Sequence, residues 1–196
     1  MIRRGWYPTT WTFVLIGLCI LAFLVEAVTD EWVYFIFIPM WALQMPWVFV
    51  TSIFFHADIT HLLFNMFALY IFGRYLEMRI GSRDFLVLFL VSGVVGNLGY
   101  FLTVGTKGAP ALGASGAIYG VIGALAILAP LLRVLVYGFF PVPLIFAAVL
   151  WALIDLFGLL LPSSIAHGAH LGGMLVGVAV GLYYRSSRRI LGAYYI

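Results

Sequence analysis

The chain has 196 residues, of which 65% are hydrophobic and only 9% are charged, and its mean hydropathy is +1.15. Soluble domains contain about 25% charged residues, so this composition excludes a protein whose whole surface faces water and indicates an integral membrane protein. The single cysteine, Cys19, excludes a disulfide within the chain.

Six apolar segments follow one another along the chain, each bounded by charged residues, glycine or proline. A transmembrane helix needs about 20 mostly apolar residues. The predicted spans are 11–28, 61–78, 85–103, 115–130, 140–160 and 167–184. No long linker or fixed repeat separates them, so we predict an all-α membrane protein with one domain, 1–196. The first span lacks a convincing cleavage site, which favours a retained anchor over a signal peptide.

Residues 29–60, between the first two predicted spans, are strongly aromatic. Pro39 and Pro46 interrupt this segment, so it is not expected to form one long helix. Tryptophan and tyrosine rings are enriched at the boundary between membrane and water. We therefore predict a partly helical hairpin that lies in the outer interface beside the helices.

The basic residues are distributed asymmetrically. With six spans, nine arginines fall on one side of the membrane and Lys107 alone falls on the other. Lysine and arginine are concentrated in cytoplasmic loops, so both termini are predicted to be cytoplasmic. The formal net charge of +3 is thus a topology signal and does not indicate nucleic-acid binding.

Polar groups that can do chemistry are rare within the predicted spans. The His-Glu-x-x-His motif of zinc peptidases is absent, and Asp155 is the only aspartate deep in a span, so a pair of facing carboxylates is excluded. Serine with histidine remains. Ser115 opens span four and His170 opens span six. His61 and Asn65 lie one turn apart near the outer end of span two, so all four residues are predicted at a similar depth below the outer surface.

Glycines recur on spans four and six at a spacing that places them on one helix face. Gly173 and Gly177 share a face with the histidine that opens span six, and Gly116 and Gly120 form a similar stripe on span four. Small residues at this spacing let two helices approach closely in lipid. If the two stripes meet, the serine and the histidine at their outer ends come within reach of each other.

Three short motifs occur in order on spans two, four and six: HLLFN at 61–65, GASG at 113–116 and AHLGG at 169–173. They are similar to the His-x-x-x-Asn, Gly-x-Ser-Gly and Ala-His-x-x-Gly motifs of the rhomboid intramembrane serine proteases, and the chain resembles this family from about residue 40 to 185. The resemblance implies a rhomboid-like bundle of six transmembrane helices that hydrolyses peptide bonds in or near transmembrane segments of other membrane proteins.

The resemblance also implies a role for each matching residue. Ser115 would be the nucleophile, and His170 the general base and then the general acid. His61, Asn65 and the backbone N–H of Ser115 would donate hydrogen bonds to the oxyanion. Tyr119 occupies the position that stacks on the histidine. No metal or cofactor is expected.

Two further positions relate to the first loop of the family. Glu77 and Arg79 match a pair that ties this loop down in rhomboid proteases. Trp47 is followed by Val48, where the family commonly has arginine. Loop anchoring and lipid contact are therefore expected to differ here, while the set of reacting residues is unaffected.

No acid in the sequence is well placed to orient His170, so the site is predicted to be a Ser-His dyad. Asp155 is interpreted as a structural group, with an orienting role as the alternative. His167 is expected at the rim of the site, with exchange of roles with His170 as its alternative. His56 is expected in a loop, and Asn97 is expected to pack helices together.

Two other classes of protein stay open at this stage. A rhomboid-like pseudoprotease would bind or escort membrane proteins without cleaving them, although this chain keeps both nucleophile and base. A channel or transporter usually has paired halves with polar residues near the midplane, and the chain has no such repeat. The expected partners are transmembrane protein substrates and the lipid bilayer. The expected location is a prokaryotic cell membrane, with the site open to the extracytoplasmic side, and the oligomeric state is left open.

Overall fold

The structure is a computed structural model, and it describes residues 9–136 and 140–187. Four of the arginines used to predict the topology lie outside these ranges: Arg3, Arg4, Arg188 and Arg189.

Most of the described chain is helical. The helices are α1 (Thr10–Glu26), α2 (Val48–Thr51), α3 (Ile59–Ala68), α4 (Arg74–Ile80), α5 (Ser82–Val104), α6 (Ser115–Leu128), α7 (Leu144–Gly158) and α8 (His167–Ser186). A π-helical segment, Leu69–Gly73, joins α3 to α4 into one long helix, so each predicted span contains one helical rod. By length and apolar composition, Ser82–Lys107 meets the requirement for crossing a membrane. The apolar helices α1, α6 and α7 are shorter, at 17, 14 and 15 residues.

A short antiparallel β-hairpin precedes α7, so the prediction of an all-α chain was wrong at this point. β1 (Arg133–Val136) pairs with β2 (Phe140–Pro143). The predicted fifth span therefore starts too early, since helix begins at Leu144 and not at residue 140. Pro141 and Pro143 explain the difference, because proline disfavours helix in the residue before it and lacks the N–H that a helix interior requires.

The centre of the molecule is α6, on which nearly every side chain is buried. Its most extensive contacts are with α8, and α8 in turn packs on α5. The outer helices expose large apolar side chains, for example Leu21 and Leu24 on α1 and Phe146 and Phe157 on α7. Contiguous apolar surface on this scale marks a surface that is covered in the native setting, here by lipid.

Glycines bring α6 and α8 into backbone contact. A methyl group added at Gly173 would overlap the carbonyl oxygen of Gly116, and one added at Gly177 would overlap that of Gly120. The two predicted glycine stripes therefore lie against each other. Helices this close leave little freedom for sliding, because a carbonyl oxygen of one fits where the other has no side chain.

A second glycine contact joins α8 to α5, and the sequence analysis did not anticipate it. A methyl group at Gly96 would lie 2.7 Å from the carbonyl oxygen of Ala169, and one at Gly172 would lie 2.8 Å from that of Val95. Helix α8 is thus held between α5 and α6 by glycine-lined faces on two sides.

The segment between α1 and α3 contains a short 3-10 helix, Glu31–Tyr34, and α2, in keeping with a partly helical hairpin. Its attachment to the bundle is largely apolar: Phe37 and Val48 are buried in one cluster. Phe37 also exchanges backbone hydrogen bonds of 3.0 and 2.8 Å with Ala111. The side chain of Asn97 donates to the Phe49 carbonyl at 2.8 Å and to the Ser52 hydroxyl at 2.9 Å. Asn97 thus ties α5 to this segment.

Glu77 and Arg79 do not contact the first loop, contrary to the expectation from the resemblance. The carboxylate of Glu77 accepts hydrogen bonds from the backbone of Trp11 and Thr12 and from the Thr12 hydroxyl, at 2.9, 2.9 and 2.6 Å. Arg79 donates to the carbonyl of Leu128 at 3.1 Å. Both residues lie on α4, at the end of the helical rod that is far from the first loop. They attach α4 to the start of α1 and to the end of α6.

Candidate active site

Ser115 is the first residue of α6, and the turn before it is set by a glycine. Gly113 has a φ of 125°, a conformation that favours glycine. A methyl group there would also lie 2.7 Å from Cε1 of His61. The N–H of Gly113 donates to the carbonyl of Ser52 at 2.9 Å, which fastens the turn to the segment after α2. The position of Ser115 at the helix start is therefore fixed from both sides.

His170 lies in the first turn of α8, and its ring meets Ser115 directly. The Nε2 atom of His170 is 2.9 Å from Oγ of Ser115. The ring of Tyr119 stacks on the imidazole, with ring centroids 4.2 Å apart and planes inclined by 11°. Residues 55 positions apart in the chain thus share a hydrogen bond, which the contact of α6 with α8 makes possible.

The other nitrogen of the His170 ring contacts an acid, which the sequence analysis did not expect. Nδ1 of His170 is 2.9 Å from Oδ1 of Asp155, and Asp155 is only 2% exposed. The expectation that no acid is well placed beside the histidine was therefore wrong. The relation of α7 to α8 depends on packing between helices, which sequence spacing does not reveal. One signal was available: a lone aspartate deep in an apolar span is costly unless it is paired.

His167 is part of the same group and does not lie exposed at the rim. Its Nδ1 atom is 2.6 Å from the same Oδ1 of Asp155, and its Nε2 atom is 3.0 Å from Oγ of Ser163. The His167 side chain is buried beneath the end of α7. The two histidines, one turn apart on α8, therefore share one carboxylate oxygen.

His61 and Asn65 lie beside this group on α3. The backbone N–H of His61 donates to Oδ1 of Asp58 at 2.8 Å, which caps the helix. The His61 ring packs on Gly113, two residues before Ser115. The Asn65 amide donates to the carbonyl of His61 at 2.9 Å. Since an amide nitrogen carries two hydrogens, Asn65 keeps one for another acceptor.

A sequence profile described as a rhomboid domain matches residues 43–187. The chain belongs to the rhomboid family. Rhomboid proteins are membrane-embedded, which agrees with the composition and with the apolar surface of the outer helices.

Several curated rhomboid proteins are similar to this rhomboid chain. Rhomboid protein 1, mitochondrial, of Saccharomyces cerevisiae is 35% identical over 148 residues, which cover 68% of this chain and 40% of the yeast protein. Rhomboid-like protein 11, chloroplastic, of Arabidopsis thaliana is 33% identical over 81% of this chain and 57% of the plant protein. Rhomboid protease GlpG of Haemophilus influenzae is 30% identical over 87% of this chain and 88% of its own length.

The rhomboid chain thus spans about half the length of the yeast and plant relatives, and most of the bacterial one. These relatives come from a bacterium, a mitochondrion and a chloroplast. The prokaryotic location expected from the sequence therefore stays a prediction.

A small cavity adjoins Ser115 in this rhomboid chain. It measures about 20 Å³, which is room for one water molecule. The cavity lies between α5, α6 and α8, and its lining includes Gly93, Asn97, Gly113 and Ala169. The cavity therefore has room for a water molecule beside the serine.

Asp155, His167 and His170 also offer three possible metal ligands, since their ligand atoms lie within 4.8 Å of one another. Each of these atoms already takes part in a hydrogen bond within the group. The hydrogen bonds account for the arrangement of the three side chains without an ion.

Proposed function

We propose that this rhomboid chain is an intramembrane serine endopeptidase, with Ser115 as the nucleophile and His170 as the base. The observation that carries the proposal is the 2.9 Å hydrogen bond between Ser115 Oγ and His170 Nε2. A serine hydroxyl is a poor nucleophile unless a neighbouring base accepts its proton. The names of relatives such as Rhomboid protease GlpG add support from the family.

The reaction begins when Nε2 of His170 accepts the hydroxyl proton of Ser115. The freed Oγ attacks the carbonyl carbon of the substrate peptide bond and forms a tetrahedral intermediate with a negative oxygen. His170 then returns the proton to the leaving amine, the C–N bond breaks, and an acyl-enzyme remains. A water molecule repeats the sequence on the ester, with His170 again as base, and releases the acid product and free serine.

The negative oxygen needs hydrogen-bond donors while it exists. Three are available: the backbone N–H of Ser115, the remaining amide hydrogen of Asn65 and the ring of His61. The N–H groups at the start of α6 have no acceptor within the helix, and the helix dipole favours negative charge there. One such donor contributes about 3–4 kcal/mol of transition-state stabilisation in serine hydrolases.

The setting we propose is a single domain, 1–196, with six membrane-crossing helices and both termini in the cytoplasm. Ser115, His170 and His61 all lie near helix ends on the side opposite the arginine-rich loops. The site then opens to the extracytoplasmic side, where water reaches it. The substrate is a transmembrane segment of another protein, cut near its outer end, where unwinding costs least.

The test is cleavage of a reporter transmembrane substrate by purified protein in liposomes, with fluorophosphonate labelling in parallel. We expect Ser115→Ala and His170→Ala to abolish cleavage, and Ser115→Ala to abolish labelling. The matched control is Ser186→Ala at the far, exposed end of α8, which is expected to behave as wild type. Labelling that persists in Ser115→Ala would contradict the proposal. A folded wild type that neither cleaves nor is labelled would instead indicate a pseudoprotease that binds membrane proteins.

A further inference from the structure

We propose that Asp155 is a positioning residue, which holds the His170 ring in the orientation and tautomer that the reaction requires. The inference deepens the proposed function and rests on it. Its basis is the contact of Asp155 Oδ1 with Nδ1 of His170 at 2.9 Å, on the ring edge away from Ser115.

The hydrogens of this group can be assigned from the chemistry of its members. An ionised carboxylate only accepts hydrogen bonds, so the Nδ1 atoms of His167 and His170 must both carry the hydrogen. In a neutral imidazole Nε2 is then the acceptor. Nε2 of His170 therefore accepts the hydroxyl hydrogen of Ser115, and Nε2 of His167 accepts that of Ser163. Every donor has one acceptor, and the assignment leaves His170 ready to take the serine proton.

The carboxylate also stabilises the charge that His170 acquires. When Nε2 takes the proton from Ser115, the ring becomes an imidazolium, and Nδ1 still donates to Oδ1. A positive ring beside a negative carboxylate at 2.9 Å is favoured more strongly inside a protein than in water, because the local dielectric constant is low. Asp155 thus acts through His170, without touching the substrate.

His167 keeps the carboxylate in place. It binds the same oxygen at 2.6 Å, and its ring packs on Gly158 of α7 so closely that a methyl group there would overlap it. Asp155 is therefore held by two contacts with α8, and the Tyr119 side chain of α6 also interacts with its carboxylate. The groups around His170 on the other helices are Ser115 and Tyr119 of α6 and, further away, His61 of α3.

The experiment compares Asp155→Asn with wild type in steady-state cleavage and in the rate of fluorophosphonate labelling. Asparagine has nearly the same shape and removes the charge. We expect kcat and the labelling rate to fall by about 100-fold or more, with KM changed little, since substrate binding does not involve this carboxylate. A purely structural role would not separate kcat from KM. The matched control is Asp84→Asn, which removes a carboxylate that accepts a hydrogen bond from Tyr184 and links α5 to α8 away from the site. It is expected to keep the wild-type rate.

The outcomes separate the two proposals. If wild type is labelled at Ser115 and a folded Asp155→Asn variant is labelled and turns over equally fast, the inference about Asp155 is overturned and the proposed function stands. If wild type is not labelled at all, both fail.

A measurement on wild type alone covers the case in which the variant does not fold. The ring nitrogens of ¹⁵N-labelled histidine in micelles are assigned by comparison with His170→Gln. They are expected to report hydrogen on Nδ1 of His170, and hydrogen on Nε2 instead would overturn the inference.

Discussion

Replacing Gly173 by alanine tests the close contact of α6 and α8. The added methyl group would lie 2.8 Å from the carbonyl carbon of Gly116 and closer still to its oxygen. Ordinary contacts of such a group begin at 3.4 Å, and the carbonyl oxygen is the nearer of the two atoms, so the two backbones must separate by about 1 Å or more.

This separation affects the contact of Ser115 with His170, because Gly116 directly follows Ser115 and Gly173 lies one turn after His170. The distance of 2.9 Å between Oγ and Nε2 then grows to about 4 Å, beyond the range of a hydrogen bond. A displacement of about 1 Å can lower an enzymatic rate about 100-fold, so we expect kcat to fall about 10- to 100-fold. Overpacking is expected to cost about 1–3 kcal/mol of stability.

The assay is cleavage of the reporter substrate in liposomes, with unfolding in detergent followed in parallel. Two alanine variants serve as controls. None of the described residues would lie within 4 Å of a methyl group at Gly17 of α1, so Gly17→Ala is expected to keep both rate and stability. At Gly181 the methyl group would lie 3.0 Å from the Ala124 carbonyl oxygen, far from the site, so Gly181→Ala should lose stability and keep its rate. A Gly173→Ala variant with wild-type kcat and wild-type stability would refute the reasoning.

Two further predictions concern aromatic and titratable side chains near the site. Tyr119→Phe keeps the ring stacked on His170 and should cleave at nearly the wild-type rate. Tyr119→Ala removes the ring and is expected to lower kcat about 3- to 10-fold. Equal kcat values for Tyr119→Ala and wild type would exclude a role for the stacked ring. Burial, together with the neighbouring His61, lowers the pKa of His56 from 6.5 to about 4. The pKa of His56 is lower in the folded than in the unfolded state, so the unfolded state binds the proton more readily as the pH falls. The free energy of unfolding is therefore unaffected by His56 above pH 6.5 and decreases as the pH falls towards 4, by about 2 kcal/mol between pH 7 and pH 5. Denaturation in detergent at both pH values measures the loss, and an unchanged loss in His56→Gln would assign it to another group.

The sequence predicted the helical rods well because apolar runs of this length have few alternatives in a membrane. The sequence also indicated that α6 and α8 meet, since the glycines of each helix lie on one face of that helix. The β-hairpin before α7 was missed because its residues are as apolar as those of a span. Pro141 and Pro143 are the clearest signal against helix in this stretch, and Gly138 is a further one.

The contact of Ser115 with His170 was predicted from motifs and depth, whereas that of Asp155 with His170 was not. Ser115 and His170 belong to short sequence motifs, which can be identified without knowing how the helices pack. Asp155 reaches His170 because α7 and α8 are neighbours and each is turned about its axis so that these two side chains face each other. Hydropathy does not specify that rotation. The contacts of Glu77 with the start of α1 depend in the same way on which helix ends become neighbours.

The two glycine-lined faces of α8 hold α5, α6 and α8 together as an inner group of helices, and the remaining helices, α7 among them, pack around this group. In the group formed by α5, α6 and α8 the helix backbones are in direct contact. These three helices therefore cannot readily separate to admit another helix. If the proposed function is right, a substrate helix would therefore enter between the outer helices, of which α7 is one. Because Asp155 is part of α7, an outward movement of this helix would draw the carboxylate away from both imidazoles, so substrate entry and the alignment of His170 would be coupled under the proposed function.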